Sequence, residues 1–294
     1  MSQTEENIKK ALRNLNEFLK NEYEGALILG VHLEGPFISK LHKGAQLEEC
    51  IESPNIKLLD SFIKESNNRV KLITIAPEEE GGFELIRHLK KNNIIASIGH
   101  SDAKYEDVKQ AIECGASCVT HVFNAQSVFH HRELGVAGSA LIFDELACEL
   151  IADGFHVCFP AIRLLIKNKP EDKVILITDA IRAKGISVSE CDLGGQRVII
   201  KDGAARLEED EHILAGSILY MNVAVKNIVQ KAGVKFETAI DFATINPAKN
   251  LKIDNILGSI KEGKIANFTV INKKTFDIYM SIVNGRILYK NESL

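Results

Sequence analysis

The sequence has no C-x-x-C pair, no block of basic residues, no low-complexity linker and no apolar run near the roughly 20 residues that a membrane helix needs. Each absence narrows the field. Its six cysteines (Cys50, Cys114, Cys118, Cys148, Cys158, Cys191) are scattered, several within apolar runs, which reads as free buried thiols in a reducing compartment. Basic residues number 36 against 40 acidic ones, for a net charge of −4, so nucleic acid is not an expected partner. The opening residues, MSQTEENIKK, are polar and acidic and do not resemble a secretory signal. These features predict a cytoplasmic protein without a membrane partner. What is present is ordinary: 45% hydrophobic and 26% charged residues over 294 positions, enough for one large α/β domain with a small appendage.

Ile8, Leu12, Leu15 and Leu19 follow helical spacing, so the chain opens on an amphipathic helix. Six short apolar runs come next: Ala26–Leu33, Val70–Ala76, Ile94–Ile98, Ser117–Val122, Ala147–Ala152 and Lys173–Thr178. Helix-like stretches such as Gly82–Lys91 and Tyr105–Cys114 lie between them. Apolar strands alternating with helices predict a parallel sheet covered on both faces. Polar residues cluster just after the strand ends: Glu34, Pro77-Glu78, His100, His121 with Asn124, Asp153 with His156, and Asp179. A doubly wound sheet gathers its site at one crevice, whereas a (β/α)8 barrel gathers residues from every strand end. The barrel is therefore the expected fold, but only six strands can be counted where closure needs eight. After Asp179 the pattern changes to a hairpin over residues 192–207 turning at Asp202-Gly203, and then helices at about 219–232 and 237–247. Residues 256–290, rich in β-branched side chains with turns at Glu262-Gly263 and Asn284-Gly285, read as an all-β appendage.

A lone histidine at a strand end is more often a hydrogen-bonded structural residue than a ligand. Glu34, His100 and His121 matter jointly, because a barrel brings three strand ends together above its axis. Two imidazoles and a carboxylate suit a zinc-like divalent ion with one position open for water, whose pKa such an ion lowers towards neutrality. Asp179 reads either as a helix N-cap or as a general base that takes a proton from water and returns it to a leaving amine. His156, turned by Gly154, is either a surface-loop histidine or a group that polarises a substrate carbonyl. Arg132, in His130-His131-Arg132-Glu133, suits bidentate phosphate contact or simply a solvated loop.

On these residues the chain resembles the N-acetylglucosamine-6-phosphate deacetylases of the amidohydrolase superfamily. GVHLEGPF (Gly30–Phe37) is similar to the signature whose glutamate binds metal, and IGHSDA (Ile98–Ala103) and THVFNA (Thr120–Ala125) to the two histidine motifs. HHRE (His130–Glu133) resembles the phosphate loop, ADGFHV (Ala152–Val157) the loop with a substrate-binding histidine, and ITDA (Ile177–Ala180) the catalytic aspartate motif. LAGS (Leu214–Ser217) is similar to the loop over the sugar, and GSIKEGKIANFTVIN (Gly258–Asn272) to the returning β-domain. The resemblance implies metal-dependent hydrolysis of the acetamide of N-acetylglucosamine-6-phosphate to glucosamine-6-phosphate and acetate. It implies one divalent ion per chain, zinc first and iron(II) or another ion second, held by Glu34, His100 and His121. Asp179 and His156 take the catalytic roles, and Gly35, Gln46, Asn124, Ala125, Arg132, His156 and Leu214 line the substrate. A homodimer is implied as well.

Three departures shape the expectation. Family members begin with strands of the small β-domain and a first barrel strand ending in a PGFID-H-x-H-type motif, and neither is found here. The expected fold is thus an incomplete TIM-type barrel, its first two strands missing, over 1–251, with a β-domain remnant over 252–294. Gln46 stands where relatives commonly carry histidine, and Leu134 where they often carry proline. The rival readings are an amidohydrolase for another N-acyl sugar or a cyclic amide, and an inactive truncated or split-gene fragment that needs a complementing N-terminal piece.

Overall fold

The computed structural model describes residues 1–292. Thr4 caps α1 (Glu5–Phe18) by accepting the Asn7 N–H, and the apolar stripe predicted for this helix buries Ile8 and Leu12. The chain then alternates: β1 (Val31–Glu34), α2 (Ile56–Glu65), β2 (Val70–Ile75), α3 (Gly82–Lys91), β3 (Ile95–Ile98) and α4 (Tyr105–Cys114). It continues through β4 (Cys118–Val119), α5 (Gly135–Ile142), β5 (Ala147–Ile151), α6 (Phe159–Asn168) and β6 (Val174–Ile177). The six strands form one parallel sheet in sequence order. Among the described residues, β1 pairs only with β2 and β6 only with β5, so the curled sheet is an open half-barrel.

The strands are short and apolar because both faces are covered, and side chains alternate between the faces. Ile73, Ile75, Ala96, Ile98, Val119, Cys148, Leu150, Val174 and Leu176 point outward into the core shared with the helices. Leu72, Ile95, Cys118, Ala147 and Ile175 form a separate inner layer. One step further along the strands, this inner face becomes polar. Thr74 Oγ1 lies 2.8 Å from both His32 Nε2 and Thr120 Oγ1, and Ser97 Oγ lies 2.7 Å from Thr120 Oγ1. Glu149 sits at the same height on β5, buried. A further step reaches Glu34, His100, His121 and Asp179.

Beyond β6 lies a three-stranded antiparallel meander, β7 (Glu190–Leu193), β8 (Gln196–Lys201) and β9 (Ala204–Leu207). The turn at Asp202-Gly203 is where the sequence puts it, and β7 is an additional strand joined through Gly194-Gly195. Helices α7 (Met221–Gln230), α8 (Phe236–Ala243) and α9 (Ile245–Asn250) pack against β6. A separate antiparallel sheet, β10 (Phe268–Ile271), β11 (Ile278–Val283) and β12 (Arg286–Lys290), forms the appendage. No helix of the described residues is long and apolar enough to cross a membrane.

The strand expected from Ala26 begins only at Val31. Leu27 and Leu29 are exposed, and β1, at the sheet edge, has a partner strand on one side alone; an apolar run there finds no second neighbour to order it.

The outer face of the sheet dominates the core, which sets the stability expected of single substitutions. Leu89→Ala, fully buried on α3, should cost about 2–5 kcal/mol, whereas Leu41→Ala, at a side chain 78% exposed, should stay within about 0.5 kcal/mol. Urea unfolding of the two variants beside the parent chain measures both.

Candidate metal centre

Three residues at the strand ends share an uncommon backbone. His100 has φ 48°, His121 φ 29° and Asp179 φ 47°, all in the left-handed region that L-residues avoid at a cost of order 1–3 kcal/mol each. Local hydrogen bonds hold them there. The His100 carbonyl accepts Ser39 N–H at 2.8 Å, the His121 carbonyl accepts Asn124 N–H at 3.0 Å, and the Asp179 carbonyl accepts Ser217 N–H at 2.7 Å. Ser217 Oγ also donates to the Thr178 carbonyl. The LAGS loop approaches so closely that a Cβ on residue 216 would lie 2.8 Å from the Asp179 carbonyl oxygen, and Gly216 itself has φ 57°. Glycine is required at that point.

This backbone turns Glu34, His100 and His121 towards one point. Glu34 Oε1 lies 2.7 Å from His100 Nε2 and 3.0 Å from His121 Nε2, and the two nitrogens are 3.1 Å apart. Tetrahedral coordination at about 2.0–2.1 Å spaces ligand atoms roughly 3.3 Å apart, so the trio needs to open by only a few tenths of an ångström to hold an ion. His100 Nδ1 is 2.8 Å from the His42 carbonyl oxygen. A carbonyl can only accept, so Nδ1 carries the proton and Nε2 is the ligand-bearing nitrogen. The trio is the group of metal-competent residues among the described residues, and it fits a divalent ion.

Burial and charge compete at each group. Burial works to raise the Glu34 carboxyl, but hydrogen bonds from His100 and His121 hold it well below the usual carboxylate range. Burial works to lower His121, yet the bond to Glu34 and its charge push the imidazole up to about 9. The Asp179 carboxyl is pushed up by burial and then by the Glu34 charge, with His121, His156 and His100 opposing. Asp179 follows the end of β6, on the same rim of the sheet as the trio. Glu149 is pushed up to about 7, by burial first, with His121 opposing.

Other residues singled out in the sequence divide into two groups. Gln46 is buried against the centre, Nε2 at 3.3 Å from His100 Nε2 and Oε1 accepting Ser2 N–H at 2.6 Å. Gly35, φ 93°, stands next to it, and a Cβ there would meet Ser2 Oγ at 2.2 Å. His156 Nδ1 is 2.6 Å from Asp153 Oδ2, an orienting pair that the D-x-x-H spacing signals. Burial raises Asp153, and the His156 bond brings it below its usual value. The residues expected to take phosphate make local bonds. Asn124 Nδ2 donates into its own loop, to the His121 and Val122 carbonyls, and Ala125 has φ 45°. Arg132 is exposed, its Nη1 2.9 Å from His131 Nε2. Leu214 is half-buried and bridges to Arg206. The residue-based reading overlooked Glu149 and His42. A glutamate inside the apolar strand Ala-Cys-Glu-Leu-Ile was a visible signal, while His42 acts through its carbonyl, which no side-chain pattern reveals.

The sequence matches the Amidohydrolase family over residues 5–288. It is 39% identical to the N-acetylglucosamine-6-phosphate deacetylase of Bacillus subtilis (strain 168), over 98% of this chain and 73% of that protein. It is 36% identical to an N-acetylgalactosamine-6-phosphate deacetylase of Escherichia coli O157:H7, over 90% of this chain and 70% of that protein. The crystal structure of N-acetylglucosamine-6-phosphate deacetylase from Pasteurella multocida superposes with a TM-score of 0.90 at 34% identity, covering 99% of this chain and 74% of that one.

Metal uptake should release protons. With the His121 imidazole at about 9, its Nε2 side is protonated below that pH and must lose the proton to become a ligand. Apparent affinity should therefore rise with pH and level off above about 9, by up to roughly tenfold per pH unit for one displaced proton. Zinc titration calorimetry at pH 7.5, in buffers of different ionisation enthalpy, should show at least one proton released. No release would contradict the assignment of His121 as a ligand.

Proposed function

The chain belongs to the amidohydrolase family and, within it, to the N-acetylglucosamine-6-phosphate deacetylases, and from that premise we propose that its strand-end centre hydrolyses the acetamide of N-acetylglucosamine-6-phosphate. The products are glucosamine-6-phosphate and acetate. The observation that carries the reading is the convergence of Glu34, His100 and His121 within 4.8 Å of one another, with Asp179 alongside. Two imidazoles and one carboxylate suit zinc first and iron(II) second. A divalent ion held there supplies electrophilic polarisation and acidifies water.

The chain's own residues supply the rest. Asp179, its carboxyl raised by burial and by Glu34, accepts a proton from the attacking water and returns it to the departing amine nitrogen. His156 donates Nδ1–H to Asp153, which orients the ring so that Nε2 faces the acetyl oxygen. Gly35, Gln46 and Leu214 bound the sugar, and Asn124, the backbone at Ala125, and Arg132 take the phosphate. Val128 and Phe129, 74% and 58% exposed beside Arg132, support a homodimer that covers this loop. The one-sided pairing of β1 and β6 supports completion of the barrel by further strands, on an N-terminal segment or a partner chain. Six free cysteines, four of them buried, support a reducing cytoplasmic setting.

Acetate release by the zinc-loaded protein from N-acetylglucosamine-6-phosphate and its galactosamine epimer tests the reaction and the sugar. We expect the gluco sugar to have the higher kcat/KM; the reverse order would move the assignment to the epimer. Asp179→Asn should keep metal while turnover falls roughly 100-fold or more, and His100→Ala should lose both. Full activity in Asp179→Asn would remove that residue from the mechanism. A folded, metal-loaded parent chain inactive on both sugars would favour an incomplete fragment.

A further inference from the structure

Glu149 lies on the inner face of β5, in an otherwise apolar strand, 6% exposed, one layer beneath the metal trio. A carboxylate at such a depth is costly unless it is paired or hydrogen-bonded. Its chain position binds it to the His121 loop: the Glu149 carbonyl accepts Val122 N–H at 2.7 Å. The backbone amide of His121, the residue whose φ is 29°, works against burial to hold the Glu149 carboxyl down. Glu149 Oε2 is buried without a hydrogen-bond partner, and so is His121 Nδ1.

These two unsatisfied atoms differ from the arrangement at His100, where Nδ1 donates to the His42 carbonyl and leaves Nε2 for the centre. An imidazole that coordinates through Nε2 carries its proton on Nδ1 and needs an acceptor there. Resting on the reading of Glu34, His100 and His121 as metal ligands, we propose that Glu149 is the positioning residue for His121, one oxygen fixing its backbone N–H and the other accepting its imidazole Nδ1–H. Glu149 touches neither substrate nor ion. It fixes the rotamer and tautomer of one ligand and gives His121 the support that His42 gives His100.

The substitution that separates this role from space-filling is Glu149→Gln, which keeps the volume and one acceptor but turns an NH2 group towards a second N–H donor. Zinc affinity, read by competition with a chromophoric chelator, should fall roughly tenfold or more in Glu149→Gln. Circular dichroism should show the fold retained. In the zinc-loaded parent, two-bond 1H–15N spectra should show His121 as the Nδ1–H tautomer with a protected, low-field proton, and Glu149→Gln should lose that protection. Glu149→Gln binding zinc within twofold of the parent, or no protected Nδ1 proton in the parent, would overturn the proposal. A parent chain that bound no zinc would instead fail the metal-centre reading on which it rests.

Discussion

Two imidazole nitrogens meet a single carboxylate oxygen, Glu34 Oε1, at 2.7 and 3.0 Å, and much of the architecture serves to keep them there. Charged groups this buried survive only when each offsets the desolvation of the others. Glu34 comes from the edge strand β1, His100 from the end of β3 and His121 from the end of β4, so contact among them fixes the curl of half the sheet. The left-handed backbone at His100, His121 and Asp179 is a local cost that neighbouring loops offset, through Ser39, Asn124 and Ser217.

Beneath the centre, the inner face of the half-barrel changes chemistry by layers. Leu72, Ile95, Cys118, Ala147 and Ile175 exclude water at the bottom. Thr74, Ser97 and Thr120 then join their hydroxyls in a buried chain that reaches His32. Glu149 and His32 belong to this layer, and the remaining acids and bases lie one step above it. Such grading lets the strands use apolar packing for stability and hydroxyl pairs for register, while the acids and bases sit where substrate can reach them.

Much of this was legible in the sequence. Short apolar runs ending in polar residues mark four of the six strands to within a residue and overextend β4, which ends at Val119, and the placement of Glu34, His100 and His121 at separate strand ends is what made a metal plausible. The β1 boundary was misread because an edge strand lacks the second neighbour that would order Ala26–Leu29. The extra turn at Gly194-Gly195 was missed because a hairpin signal at Asp202-Gly203 already accounted for that stretch. Positive φ at histidine and aspartate leaves only a faint signature in residue type, and the His42 carbonyl behind His100 leaves none. The phosphate role proposed for Asn124 and Arg132 rests on resemblance alone, since Asn124 bonds within its own loop and Arg132 is exposed.

A single ion held by Glu34, His100 and His121 is the proposal that anomalous X-ray scattering at the zinc edge tests most directly. Crystals grown with zinc should show one strong peak bonded to Glu34, His100 and His121 at about 2.0–2.2 Å. No peak between those side chains, or a peak held by other residues, would contradict it.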